Sequence, residues 1–176
     1  MNPPAPPAYQ VLDRVLAREI PPREFERWVY DSPELEAELG LGDYLLLAGF
    51  DYGQPDAAHE LHRVVAGIYE RKRPGMLVPD RAWRLACGLA TGALPLVPAV
   101  DQLASLWYAG HEWIPVEFVG IASELDDLPQ SRHPSHWDPA ALAAKVREWQ
   151  PRLDDLAGAA AEAARALLRD RFPGVP

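Results

Sequence analysis

Four of the five histidines in this 176-residue chain fall in two His-x-x-His pairs, His59/His62 and His133/His136. Residues three apart on a helix share a face, so His59 and His62 can approach one metal ion, with Asp56 a turn earlier. His133 and His136 sit in a segment that reads as a loop before a helix. If the pairs met, four imidazole nitrogens would make a zinc centre, and an open ligand position would make it a hydrolase. That outcome needs a tertiary coincidence, and surface or loop histidines are far commoner. Metal binding is therefore the alternative reading, and no cofactor is expected. The run Glu124-Leu125-Asp126-Asp127 lacks the ligand spacing and glycine of a calcium loop and reads as a solvated acidic turn. Ser105 and Ser123 lack a Gly-x-Ser-x-Gly frame, and Cys87 has no base beside it to lower its pKa. Gly88-Leu89-Ala90-Thr91-Gly92 lacks the lysine of a phosphate-binding loop. These absences favour a protein that is not an enzyme.

The charge pattern is more informative. Net charge is −9, and bases are missing from two long stretches. Between Arg27 and Arg63 stand Asp31, Glu34, Glu36, Glu38, Asp43, Asp51, Asp56 and Glu60 with no Lys or Arg. Between Arg84 and Arg132 stand Asp101, Glu112, Glu117, Glu124, Asp126 and Asp127, again with no base. A surface built from them repels nucleic acid and attracts a basic protein. The plainer account is that an acidic protein has solvated acidic faces. Trp107, Tyr108, His111 and Trp113 form a dense aromatic group that suits core packing better than a partner anchor.

The elements that position these residues are helical. Val11, Leu12, Val15 and Leu16 recur at helical spacing until Pro21-Pro22 stops them, and Pro22 opens a second helix carrying Phe25, Trp28 and Val29. Ser32-Pro33-Glu34 reads as the cap and first turn of a short third helix that ends at Gly40. Asp43 caps a further short segment, Tyr44 to Phe50, whose near-continuous apolar run fits a buried helix or a buried strand, the helix being favoured. A longer helix runs from Asp56 to about Arg73, with Leu61, Val64, Val65 and Ile68 inward. Two apolar segments follow, one with Trp83, Leu85, Cys87 and Leu89, the other with Val100, Leu103, Leu106 and Trp107; this pair is expected to centre the core. Residues 110–134 have the weakest pattern, a short helix or extended piece and then a loop. Asp138-Pro139 starts a helix that Pro151 kinks or ends. The Ala-rich stretch Leu153 to Phe172 places Leu153, Leu156, Ala160, Ala163, Leu167 and Leu168 on one face.

With no alternating strands, the fold class expected is mainly α, an irregular multi-helix bundle in a single domain. Residues 1–8 read as a flexible Pro-rich N-terminus, 9–172 as the helical domain with a subdomain turn at 74–79, and 173–176 as a flexible tail. At 48% hydrophobic and 24% charged residues, the composition is that of a globular chain. The preference for arginine over lysine, with abundant Ala and Pro, resembles coding by a GC-rich bacterial genome. No secretory signal is visible, and the longest charge-free run, Leu85 to Val100, is broken by Pro95 and Pro98, which disfavours a membrane span. The single cysteine, Cys87, forms no intrachain disulfide, consistent with a cytoplasmic protein.

Phe25-Glu26-Arg27-Trp28-Val29-Tyr30, the run from Asp43-Tyr44-Leu45 through Phe50-Asp51-Tyr52, and Trp113-Ile114-Pro115-Val116-Glu117-Phe118-Val119-Gly120-Ile121 resemble small bacterial immunity proteins encoded beside secreted polymorphic toxins. The resemblance covers roughly residues 25–52 and 113–129. It implies a cytoplasmic, non-enzymatic inhibitor that sequesters a basic toxin domain, often a nuclease, with an acidic patch standing in for a phosphate backbone. The implied contact residues are Glu34, Glu36, Asp43, Asp51, Glu117, Glu124, Asp126 and Asp127. A third alternative is a structural or oligomerising protein whose Ala-rich last helix supplies the contact.

Overall fold

The computed structural model describes residues 7–32, 34–127 and 138–173. Among the described residues there are nine helices and no strand, so the all-α class expected from periodicity is the class found. They are α1 Pro7–Leu16, α2 Pro22–Asp31, α3 Leu35–Leu39, α4 Leu41–Ala48, α5 Ala57–Lys72, α6 Leu77–Thr91, α7 Leu96–Tyr108, α8 Glu117–Asp126 and α9 Pro139–Arg171. None of them is long and apolar enough to cross a membrane. The chain divides into two compact units, one reaching Arg81 and one beginning at Ala82, so the boundary falls inside α6 rather than in the expected turn at 74–79, of which residues 77–79 already belong to α6.

In the N-terminal unit α1 packs on α5 and α3, while α2 and α3 pack on α4. Leu12, Phe25, Leu39, Leu47, Val65 and Ile68 are fully buried there; of these, Leu12, Phe25, Val65 and Ile68 are inward positions expected from the periodicity. Proline and glycine set the joints. Pro22 occupies the first turn of α2, where its missing N–H costs nothing, and Gly40 (φ 81°) separates α3 from α4. Two expected caps are not made: α3 begins at Leu35 with no side-chain cap, and Asp43 lies within α4, because Gly40 already starts that helix.

The α1 terminus carries an arginine where glycine is usual. Glu19 N–H donates to the Arg14 carbonyl and Arg18 N–H to that of Val15, a Schellman-type closure with Arg18 at φ 59°. A side chain in the left-handed region costs about 1–2 kcal/mol. Arg18→Gly is therefore expected to stabilise the protein by about 1 kcal/mol, read as a raised midpoint in urea denaturation; an unchanged or lowered midpoint would show that the Arg18 side chain contributes more than its backbone costs.

In the C-terminal unit α7 packs chiefly on α8, and α9 lies against α8 and α7. Val100, Leu103, Ile114, Phe118 and Leu125 are buried. The centre of this core is thus α7 against α8, not the α6–α7 pair, because the short helix that is one of the two readings of this stretch forms, as α8, and packs on α7. α9 does not end at Pro151. Proline removes one helical hydrogen bond, but Pro151 and Arg147 are exposed, so water can take the freed carbonyl. Leu156, Ala160, Ala164 and Leu167 form the buried stripe of α9, which puts Ala164 rather than Ala163 at the centre of the face.

Candidate functional site

Two buried carboxylates, Asp13 and Asp80, are the first place to look for chemistry. Both are closed. Arg73 grips Asp80 with two N–H groups, Nε to Oδ2 at 2.7 Å and Nη2 to Oδ1 at 2.9 Å. The Tyr69 hydroxyl donates to the same Oδ2 at 2.6 Å. The Arg73 guanidinium also lies 5.5 Å from the Tyr9 ring centre, and Tyr9 meets Tyr69 edge-on. Asp13 accepts from Arg81 Nε at 2.7 Å. Charge-assisted, largely desolvated pairs of this kind hold elements together and leave Asp80 with no oxygen aimed at a ligand. They clasp α1, the end of α5 and the start of α6.

The clasp has a signature in alkali. Burial first, then the hydrogen bond to Asp80, pushes the Tyr69 hydroxyl well above its ordinary pKa; burial does the same for Tyr52 and, more weakly against the opposing Arg73 cation, for Tyr9. Unfolded tyrosines ionise near pH 10. The stability these protonated hydroxyls confer is therefore complete below that pH and is lost above it, as the unfolded chain releases protons the fold retains. Phenolate absorbance is expected to show Tyr9, Tyr52 and Tyr69, three of the six tyrosines, ionising late and together with loss of helical circular dichroism. Independent titration of all six with the fold intact would contradict it.

The histidine reading finds His59 and His62 exposed on α5, with His133 and His136 outside the described residues. Among the described residues no group of three or more His, Cys, Asp or Glu can hold a metal ion. His59 and Asp56 instead border an open groove of about 510 Å³, whose floor is Val15, Ile20 and Leu61, whose walls include Pro21, Pro22 and Pro55, and whose rim carries Arg18 and Glu19. Cys87 is half-buried, and burial raises its thiol pKa, so it is not an activated nucleophile.

The acidic residues are distributed over both units. In the N-terminal unit Glu34, Glu36 and Asp51 are exposed, and Asp51 accepts from the Gly53 N–H at 2.9 Å. Asp43 is engaged, pairing with Arg71 at 2.6 Å and Lys72 at 3.4 Å while its side chain is only 11% exposed. In the C-terminal unit Glu117, Glu124, Asp126 and Asp127 are exposed along α8 and just after it.

α8 builds two of these acids, Glu117 and Glu124, into a concave feature. Glu117, Gly120, Ile121 and Glu124 occupy one face at i, i+3, i+4 and i+7. The matching face of α9 presents Ala159, Glu162, Ala163 and Ala166, and the two enclose an open groove of about 470 Å³. Gly120 and the alanines keep its floor low, leaving the carboxylates of Glu117, Glu124 and Glu162 as its polar groups. Arg152 pairs with Glu124, so one guanidinium of the chain itself already sits on this acidic face. Glu162 was not legible as a site residue: its local setting is an Ala-rich helix, and only the spacing it shares with Ala159, Ala163 and Ala166 hints at the common face. The groove can bind cations along its rim and small or extended groups over its floor; its lining carries no Ser, Thr, Cys, Lys or His. No protein-family model, curated protein or solved structure matches this chain.

Proposed function

We propose that the protein is a non-enzymatic binding module that sequesters a basic protein partner, in the manner of an immunity-type inhibitor acting on a basic toxin domain. The observation that carries this reading is the α8–α9 groove, in which two helix faces set Glu117, Glu124 and Glu162 around a floor of Ala and Gly. A net charge of −9 adds a long-range field that speeds encounter with a cationic partner and repels nucleic acid. Lysine or arginine side chains from the partner would lie along the groove and compete with Arg152 for Glu124.

The test is capture from a host lysate by wild-type protein and by E117Q/E162Q, at low and high salt, with bound metal assayed on the same samples. Wild type is expected to retain one basic protein at low salt and release it at high salt, and the double variant to bind it about tenfold more weakly. Equal retention by both forms across the salt series would remove the groove from the interface. No partner together with one zinc per chain would replace the reading with the histidine site.

A further inference from the structure

α4 departs from the usual pattern of a surface helix. Its only fully buried residue is Leu47, while Leu41, Leu45 and Leu46 are 57%, 56% and 54% exposed. At helical spacing Leu41, Gly42, Leu45, Leu46 and Gly49 share the side opposite Leu47, so the outward face of α4 carries no charge. Tyr30, itself 60% exposed, extends this face from α2 by donating its hydroxyl to the Ala48 carbonyl at 2.7 Å. A Cβ placed on Gly42 would meet nothing within 4 Å, so another backbone can come close there.

We infer that this face docks an amphipathic helix of a protein partner, with an apolar ridge on Leu41, Leu45 and Leu46 and lysines or arginines along its edges. Charge selects that occupant. Around α4 the exposed acids Asp31, Glu34, Glu36 and Asp51 outnumber Arg27, the exposed arginine in the last two turns of α2, while Arg71 and Lys72 beside α4 share Asp43. A second copy would bring the same acids and another net charge of −9 to an apolar patch of three leucines and a tyrosine. Four side chains are few beside the roughly 20–30 residues that each side of a standard stable interface supplies. A single helix laid on a helical face needs less area and reads three or four anchors at i, i+3 or i+4. The inference rests on the basic-partner reading above and adds its apolar anchor.

The experiment uses the full chain and a labelled 18-residue helical peptide of leucine and lysine with one apolar ridge, beside the same peptide with glutamate for lysine. Fluorescence anisotropy is expected to show binding of the lysine peptide only. L41Q/L45Q should weaken it at least tenfold, and E34Q/E36Q about threefold with a shallower salt dependence. G42Q supplies a variant that favours the helix yet blocks close approach, and is also expected to weaken binding; circular dichroism verifies all three folds. Unchanged affinity in L41Q/L45Q and G42Q overturns the docking face; if E117Q/E162Q then abolishes binding, the basic-partner reading survives without it. Failure of every form to bind the lysine peptide overturns the docking face, while salt-sensitive lysate capture would still judge the groove separately. A wild-type dimer in sedimentation velocity that L41Q/L45Q dissolves, or binding to phosphatidylcholine vesicles lost in that variant, assigns the face to another occupant and overturns the inference.

Discussion

Asp80→Ala is expected to cost about 3–5 kcal/mol and to unfold the N-terminal unit in much of the population at room temperature. The loss is larger than one hydrogen bond because the carboxylate serves three donors at once, two on Arg73 and one on Tyr69. Without it a guanidinium whose side chain is 14% exposed stays desolvated and uncompensated, and the Tyr69 hydroxyl is left buried. Replacing both charges, as in R73M/D80L, is expected to recover most of the loss, since an apolar pair of similar volume avoids the desolvation cost. Urea denaturation followed by circular dichroism separates the cases. A cost below 1 kcal/mol for Asp80→Ala, or a double variant no better than the single one, would show that the clasp does not hold α1, α5 and α6 together.

Phe118→Ala is expected to be comparably severe, about 3–5 kcal/mol, in the other unit. Phe118 is 0% exposed on α8, the helix that packs on both α7 and α9. Its removal leaves a void on the buried side of α8, and the rim of the groove depends on α8 keeping its position. The same variant is therefore expected to weaken capture of a basic partner while leaving every acid in place. Full stability with Phe118→Ala would mean that α7 and α9 can close onto each other without it.

The helices were legible because their boundaries are written locally. Pro21-Pro22, Gly40 and Asp138, whose carboxylate accepts from the Ala141 N–H at 3.0 Å, act on their own turn of chain, so sequence reveals them directly. Pro151 leaves two outcomes open in the sequence, a kink or an end, and only the end is excluded: a proline is tolerated where water can replace the lost bond, and exposure is not written beside it. The α8 acids Glu117 and Glu124 were visible as a base-free stretch, yet their opposite wall, Glu162, lies 45 and 38 positions further on, in α9. The clasp was invisible for the same reason: Arg81 and Asp13 are 68 positions apart, and nothing near either residue announces the other. The exposed leucines of α4 escaped notice because hydrophobicity predicts burial only on average.

The position of the unit boundary bears on how this protein can be taken apart. Arg81 and Ala82 are consecutive residues inside α6, so the seam runs through hydrogen-bonded helix rather than an open linker, and a protease finds no loose strand of chain there. Fragments cut at that seam would inherit helix stubs of 5 and 10 residues, both shorter than the roughly 12–15 residues at which an isolated helix begins to hold in water. A workable pair of fragments must overlap, the first carried through Thr91 and the second begun at Leu77, with α6 made twice.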